Sequence, residues 1–414
     1  MQTLLTSSGH DHSQSSWNDR VLSPNTPAPG AVILGIEYQA LGLLRQLRAT
    51  GVRCVLVDQD RWGPARLSRH PARVYQCPPY DSDDFWPWLM ALGERENLQG
   101  WLLIATDDEQ VRQLSLNIDE VQKRFRYLGP AWTEFEKLYD KRVSYEWCLA
   151  NKIPGPISYL PKDREDLPQG ELRYPFIVKP AFKRNFKRYS KAKAVVVHSE
   201  AELRNLLAGQ FSGLDIHEVL FQELIPGGGQ QQWSYAGLFV EGEPIAAFTA
   251  CRLRQHPPDF GRASTYVVAE YDREVEAASR RVIAALNYTG LAEVEWKRDP
   301  RDGSLRFLEV NARCWGWHSL AASVVGNLPK MLYDYACGIH PAPVITPKYG
   351  MRWVKHVTDL PVAIDMWWTG AMSLRDYCET FKHNVTCCEW EWSDPLPLFL
   401  QVFLIPYLTL KRGY

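Results

Sequence analysis

The spacing of apolar positions changes character along the chain, and the change marks its organisation. Residues 31–34 (AVIL) form an unbroken apolar run, Leu41, Leu44 and Leu47 recur at helical spacing, Gly51 is a stop, and residues 54–57 form a second run. That order predicts a βαβ unit. A second strand–helix unit is expected in WLLIATDDEQVRQLSL, which sets Thr106, Asp107 and Asp108 at the carboxyl end of its strand. Residues so placed either face a ligand or cap the following helix. From Tyr139 the rhythm alters. YDKRVSYEWCLANKIPGP reads as a helix closed by a Pro/Gly turn, followed by strands at FIVKP, KAVVVHS and EVLFQELIPGGG, with a helix at EAELRNLLAG. Residues 231–312 alternate strands and turns around one helix between Asp272 and Leu286. A helical stretch runs from Cys314 to about Gly338, and residues 341–414 read as irregular and rich in tryptophan. No internal repeat is visible. The pattern is an α/β unit followed by α+β units.

A chain of 414 residues exceeds one ordinary core. The expected division is a disordered tail over 1–30, an α/β domain over 31–130, two subdomains over 131–225 and 226–340, and an extension over 341–414. Hydrophobic residues at 45% and a net charge of −1 fit a soluble globular protein with no overall field toward nucleic acid or membrane. The nine cysteines form no CxxC pair, and adjacent Cys387 and Cys388 suit neither a disulfide nor spaced zinc ligation. A reducing, cytoplasmic setting is the expectation. The first 30 residues lack a signal peptide's apolar core, and His10 and His12 within them read as solvated rather than metal-binding. Residues 395–410 are interrupted by Pro397, Gln401 and Pro406. They read as a segment packed on the body or as a surface anchor before Lys411 and Arg412, not as a span, which needs about 18 apolar residues. After Gly35 the sequence IEYQA lacks the later glycines of a dinucleotide fingerprint, so Asp58 in the ribose-acid position does not make a nicotinamide site.

The densest chemistry lies in LAEVEWKRDPRDGSLRFLEVNAR, residues 291–313. Two strands flank a turn with Pro300, Asp302 and Gly303, so an antiparallel hairpin is expected. Alternation puts Glu293 and Glu295 on one face, and Glu309 and Asn311 share a face of the second strand. A loop centred on Asp302 sets Glu295 opposite Glu309 and Glu293 opposite Asn311. Facing carboxylates resist joint ionisation unless a cation intervenes. Either a hard divalent ion such as magnesium sits there, or the face is merely solvated. Upstream, Lys179 ends the FIVKP strand and Lys141 follows Asp140 at a helix start. The loop after Lys179 carries Lys183, Arg184, Lys187, Arg188, Lys191 and Lys193 interleaved with Phe182, Phe186 and Tyr189. It reads as a solvated arm, an RNA patch or a lid over phosphates. FQELIPGGG offers Glu223 and backbone groups to an adenine edge, or is a strand before a glycine turn. Trp315, Trp317 and His318 follow the acidic strand, either lining a substrate pocket or packing in the core.

In this order, YDK, FIVKP, FQELIP, EVEWKRD and LEVNAR resemble the ATP-grasp superfamily, and most closely its carboxylate–amine ligases; the resemblance spans about residues 31–340. It implies an N-terminal Rossmann-like domain without a dinucleotide, followed by a two-subdomain ATP-grasp fold. It further implies that Lys141 and Lys179 hold nucleotide phosphates, and that Glu223 with the backbone of Leu224 and Ile225 meets adenine and ribose. Glu295, Glu309 and Asn311 would bind magnesium, with two ions expected and manganese a substitute. Arg252 resembles the cation near the γ-phosphate, with Arg254 a companion, and Arg313 would steady the transferred phosphoryl group. The implied partners are a small carboxylate and an amine, amino acids among them, and no nucleic acid; a homodimer is left open. The loop after VKP departs from the family by having no glycine, which keeps open an inactive ATP-binding relative.

Overall fold

The computed structural model describes residues 29–168, 170, 172–181, 189, 194–256, 263–382, 384–401 and 403. The six basic residues of the loop after Lys179, the two tail histidines, and residues 404–414 lie outside them.

The expected βαβ unit forms from β1 (Ala31–Leu34), the helix Tyr38–Arg48 and β2 (Cys54–Asp58). With β3 (Arg73–Gln76), β4 (Leu102–Ala105) and β5 (Arg126–Tyr127) these make a parallel sheet of order β3-β2-β1-β4-β5. Its first turn is closed by protein groups. Asp58 accepts from the Ile36 N–H at 3.0 Å and the Asp60 N–H at 2.6 Å. Gly35 has φ +126°, and a β-carbon there would lie 2.3 Å from the Thr106 hydroxyl. The turn thus needs one glycine for local packing, which accounts for a lone glycine without the rest of a fingerprint.

The four-stranded antiparallel sheet contains β6 (Ser158–Tyr159), β7 (Phe176–Pro180), β8 (Val195–Val197) and β9 (Val219–Glu223), ordered β6-β9-β7-β8. It packs on the helix Glu200–Ala208 over its own core, which includes Phe176, Val178, Leu203 and Phe221. The largest sheet has β10 (Gln232–Val240), β11 (Glu243–His256), β12 (Ala263–Ala269), β13 (Gly290–Arg298), β14 (Leu305–Asn311), β15 (Arg352–Val354) and β16 (Val385–Cys387). Its order is β14-β13-β10-β11-β12-β15-β16. Buried residues of β1 and of the Tyr38–Arg48 helix share one core with Ala236, Leu238, Phe248 and Trp315. The parallel sheet and the large sheet are therefore welded together, while the four-stranded sheet stands on separate packing.

Two expectations are corrected. The described residues after 340 are not irregular throughout: they supply β15 and β16, the helix His356–Trp368 and the helix Leu374–Glu379. The stretch after Cys314 is broken into Ala321–Val324 and Leu328–Ala336, with Gly326 at φ +103° between them. Among the described residues no helix is long and apolar enough to cross a membrane.

Trp315, Trp317 and His318 are all buried. His318 packs against Gly42 of the first helix, and its Nδ1–H donates to the Trp315 carbonyl at 3.1 Å. Burial pushes this imidazole down from 6.5 to about 4. The unfolded chain then binds the proton first, so stability present above pH 6.5 is lost as pH falls toward 4. The expected loss is about 3 kcal/mol, from 1.36 kcal/mol per pKa unit. Denaturation of wild type and His318→Leu at pH 4.5, 5.5 and 7 checks this: the variant should be flatter across that window, and parallel curves would contradict it.

Candidate active site

The hairpin β13–β14 organises the site. Its register sets Glu293 opposite Asn311 and Glu295 opposite Glu309. The turn is not centred on Asp302, however. Arg298 pairs with Leu305, and a slip between Glu295 and Trp296 leaves Leu308 as an extra residue. That bulge restores the register expected for the acids.

Glu293 is fully engaged. It accepts from the Ser234 hydroxyl at 2.9 Å, the Trp317 indole N–H at 3.0 Å and the Asn311 amide at 3.1 Å. Burial, then the neighbouring Glu295, pushes its carboxyl up to about 8. Glu293 is thus an internal strut that orients its neighbours. Glu295 accepts from Asn311 at 2.8 Å and from Arg252 at 3.3 Å, while Arg252 also donates to Gln232 at 3.0 Å. With both Asn311 amide protons turned to the acids, its carbonyl oxygen accepts from Arg313 at 2.9 Å. Arg313 is in turn held by Asp108 at 2.7 Å. Burial alone would lower the Arg313 pKa, but Asp108 outweighs it and the net shift is upward, so this cation stays charged.

Glu309 faces Lys141 at 3.7 Å, with both side chains partly exposed. Lys141 opens the helix Lys141–Ala150, whose cap Asp140 accepts from the Arg142 N–H at 2.8 Å. The Lys141 N–H donates to the Ala181 carbonyl just past β7 at 3.1 Å, tying this lysine to the four-stranded sheet. Lys141, Glu309 and Asn311 line a cleft open to solvent together with Asp81, Asp107, Asp108 and Glu109. Asp107 caps the helix Asp108–Leu116, the capping role expected at this strand end, while Asp108 holds Arg313.

Lys179 and Glu223 stand on the four-stranded sheet and do not line that cleft. Lys179 donates to Gln222 at 2.8 Å. Glu223 pairs with Arg301 of the hairpin turn at 2.5 Å, and Lys297 of β13 donates to the Ile225 carbonyl at 2.8 Å. The segment containing Leu224 is thereby fastened to the hairpin. Arg254 does not accompany Arg252. It is drawn to Asp359 in the C-terminal segment, with two bonds of 2.9 and 2.8 Å. Sequence reasoning missed Ser234, Gln232 and the indole of Trp317 as supports, because each acts through a contact that no local pattern encodes.

No family model matches the chain. It is 24% identical over 301 residues to D-aspartate ligase of Enterococcus faecium, covering 68% of this chain and 70% of that protein. Biotin carboxylase from Campylobacter jejuni, solved as a β-γ-ATP complex, superposes with TM-score 0.62 at 13% identity, covering 78% of this chain and 74% of that one. L-amino acid ligase from Bacillus licheniformis does so with TM-score 0.57 at 15% identity, over 75% of each chain. In fold the chain is therefore similar to ATP-grasp proteins.

Proposed function

We propose that the protein is an ATP-dependent ligase that phosphorylates a carboxylate to an acylphosphate and couples it to an amine. The observation carrying this reading is the pair Glu295 and Glu309, opposed across the hairpin and ringed by Lys141, Arg252 and Arg313. Glu295 and Glu309 offer hard oxygen donors, which fits magnesium, and Asn311 would join them through its carbonyl by turning its amide away from the acids and Arg313. Bound there, the metal would neutralise charge on the β- and γ-phosphates. Lys141 and Lys179 would hold those phosphates, Arg252 the γ-phosphate, and Glu223 with the Leu224–Ile225 backbone the adenine and ribose.

In the first step a substrate carboxylate oxygen bonds to the γ-phosphorus while the bond to the β–γ bridging oxygen breaks, releasing ADP. The amine nitrogen then bonds to the acyl carbon, phosphate leaves with the bonding pair, and the amine gives up a proton. Positioning and fixed charge perform this chemistry, so no side-chain nucleophile is needed. The carboxylates of Asp81, Asp107 and Glu109 in the lining would favour approach of a cationic amine. The lid would be the subdomain of residues 131–225, the metal-binding core that of 226–340. Names of the relatives make amino acids the first substrates to screen.

A thermal-shift titration with ATP, with and without magnesium, tests the nucleotide site. Ligand at 100 times its dissociation constant adds about 2.7 kcal/mol, which is roughly 5–11 °C for a domain of 150–250 residues. A magnesium-dependent shift followed by amino-acid-dependent ADP release is expected. A shift without ADP release from any carboxylate–amine pair would mark a non-catalytic nucleotide binder, and no shift would sink the reading.

A further inference from the structure

The C-terminal segment brings together three side chains that the ligase chemistry does not use, His356 from one stretch and the neighbouring Cys387 and Glu389 from another. β16 lies parallel to β15 with Cys387 beside Val354, and the helix His356–Trp368 begins two residues further on. His356 Nδ1 is 3.1 Å from Cys387 Sγ, that sulfur is 3.5 Å from Glu389 Oε2, and the oxygen is 3.8 Å from the same Nδ1. One nitrogen, one sulfur and one oxygen therefore form a compact triangle. A tetrahedral zinc with bonds of about 2.0–2.3 Å to such ligands needs edges of roughly 3.4–3.6 Å. Each observed edge lies within about 0.5 Å of that range.

The surroundings hold the three groups in place. Glu389 is completely buried, and its two oxygens accept the backbone N–H groups of His356 and Val357, each at 3.2 Å. The Trp390 N–H donates to the Cys387 sulfur at 3.3 Å, which fixes where that sulfur sits. The His356 ring stacks on Phe381 at 5.7 Å with 13° between planes. A nucleophile relay would engage thiol and carboxylate with opposite ring nitrogens, whereas here one nitrogen faces both. Convergence on a point is what ligation requires. The imidazole and thiol are partly exposed, so solvent reaches a fourth position.

We propose that His356, Cys387 and Glu389 bind one zinc-class divalent cation that clasps β16 to the start of the helix following β15. Mixed sulfur, imidazole and carboxylate donors select a borderline-soft ion over magnesium. The full-length protein, stripped with chelator, loaded with zinc and desalted, should retain about one equivalent by elemental analysis. Loading with cobalt(II) should give a thiolate-to-metal charge-transfer band. Cys387→Ser and His356→Ala should each lose about nine-tenths or more of the bound zinc, while Cys378→Ser, at an exposed thiol, should retain it. A wild type that keeps no zinc, a cobalt spectrum without the thiolate band, or unchanged retention in Cys387→Ser would overturn the assignment. The cobalt spectrum of wild type settles the matter even where a variant fails to fold.

Discussion

Glu309→Gln is expected to lower kcat for ADP release by about 10²–10³-fold, the scale on which removing a preorganised charge from a reacting site acts. The change keeps the size of the side chain and removes its charge at the one acid of the hairpin that is partly open to the cleft. Its fold cost should be small. The Lys141–Glu309 pair is partly solvated at 3.7 Å, and pairs of that kind contribute roughly 0–1 kcal/mol. Activity and stability should therefore separate: turnover collapses while the melting temperature moves by no more than a few degrees. Substituting Glu293 tests the contrast, because three donors depend on that buried carboxylate and its loss should disturb folding as well. Steady-state ADP release and calorimetry on Glu309→Gln make the check. Near-normal turnover would remove Glu309 from the metal set and the ligase mechanism with it.

The acids were readable in the sequence because strand alternation and turn chemistry act locally. Four residues at spacings of two, on either side of a Pro/Asp/Gly turn, allow only a few registers. What alternation could not reveal was the bulge at Leu308, a compensation between turn geometry and pairing. The first βαβ unit was readable for the same local reason. The supports were not: Asp108 reaches Arg313 across 205 positions, and the Trp317 indole N–H reaches Glu293 from beyond the strand that carries the motif. β15 and β16 have three residues each and exist because β12 offers β15 an edge and β15 in turn offers one to β16, so periodicity has too short a window to show them. The separation of Arg252 from Arg254 has a similar origin. Two residues apart on one strand they share a side in principle, but the ladder slips on both sides of Arg254 and a buried acid from the C-terminal segment claims it.

That claim makes Asp359 the most consequential stability residue outside the cleft. Arg254 and Asp359 are both buried, joined in a fork of two hydrogen bonds. The guanidinium lies 4.2 Å over the Tyr266 ring and donates to Thr380 at 3.2 Å. Asp359→Ala removes the only acid among the described residues that the fork engages and strands a desolvated cation, a change that costs about 3–5 kcal/mol. Replacing both partners by apolar residues, Arg254→Met with Asp359→Leu, removes the stranded charge as well and should recover most of the loss. Chemical denaturation of wild type, the single variant and the double variant measures both effects. A loss under about 1 kcal/mol in Asp359→Ala, or a double variant weaker than the single one, would contradict the buried-pair account. Turnover adds a separate readout. Arg252 keeps its own partners, Gln232 and Glu295, so the double variant should hold a kcat near that of wild type. A large fall in kcat there, with stability recovered, would mean that the C-terminal segment sets the position of Arg252 through the strand the two arginines share.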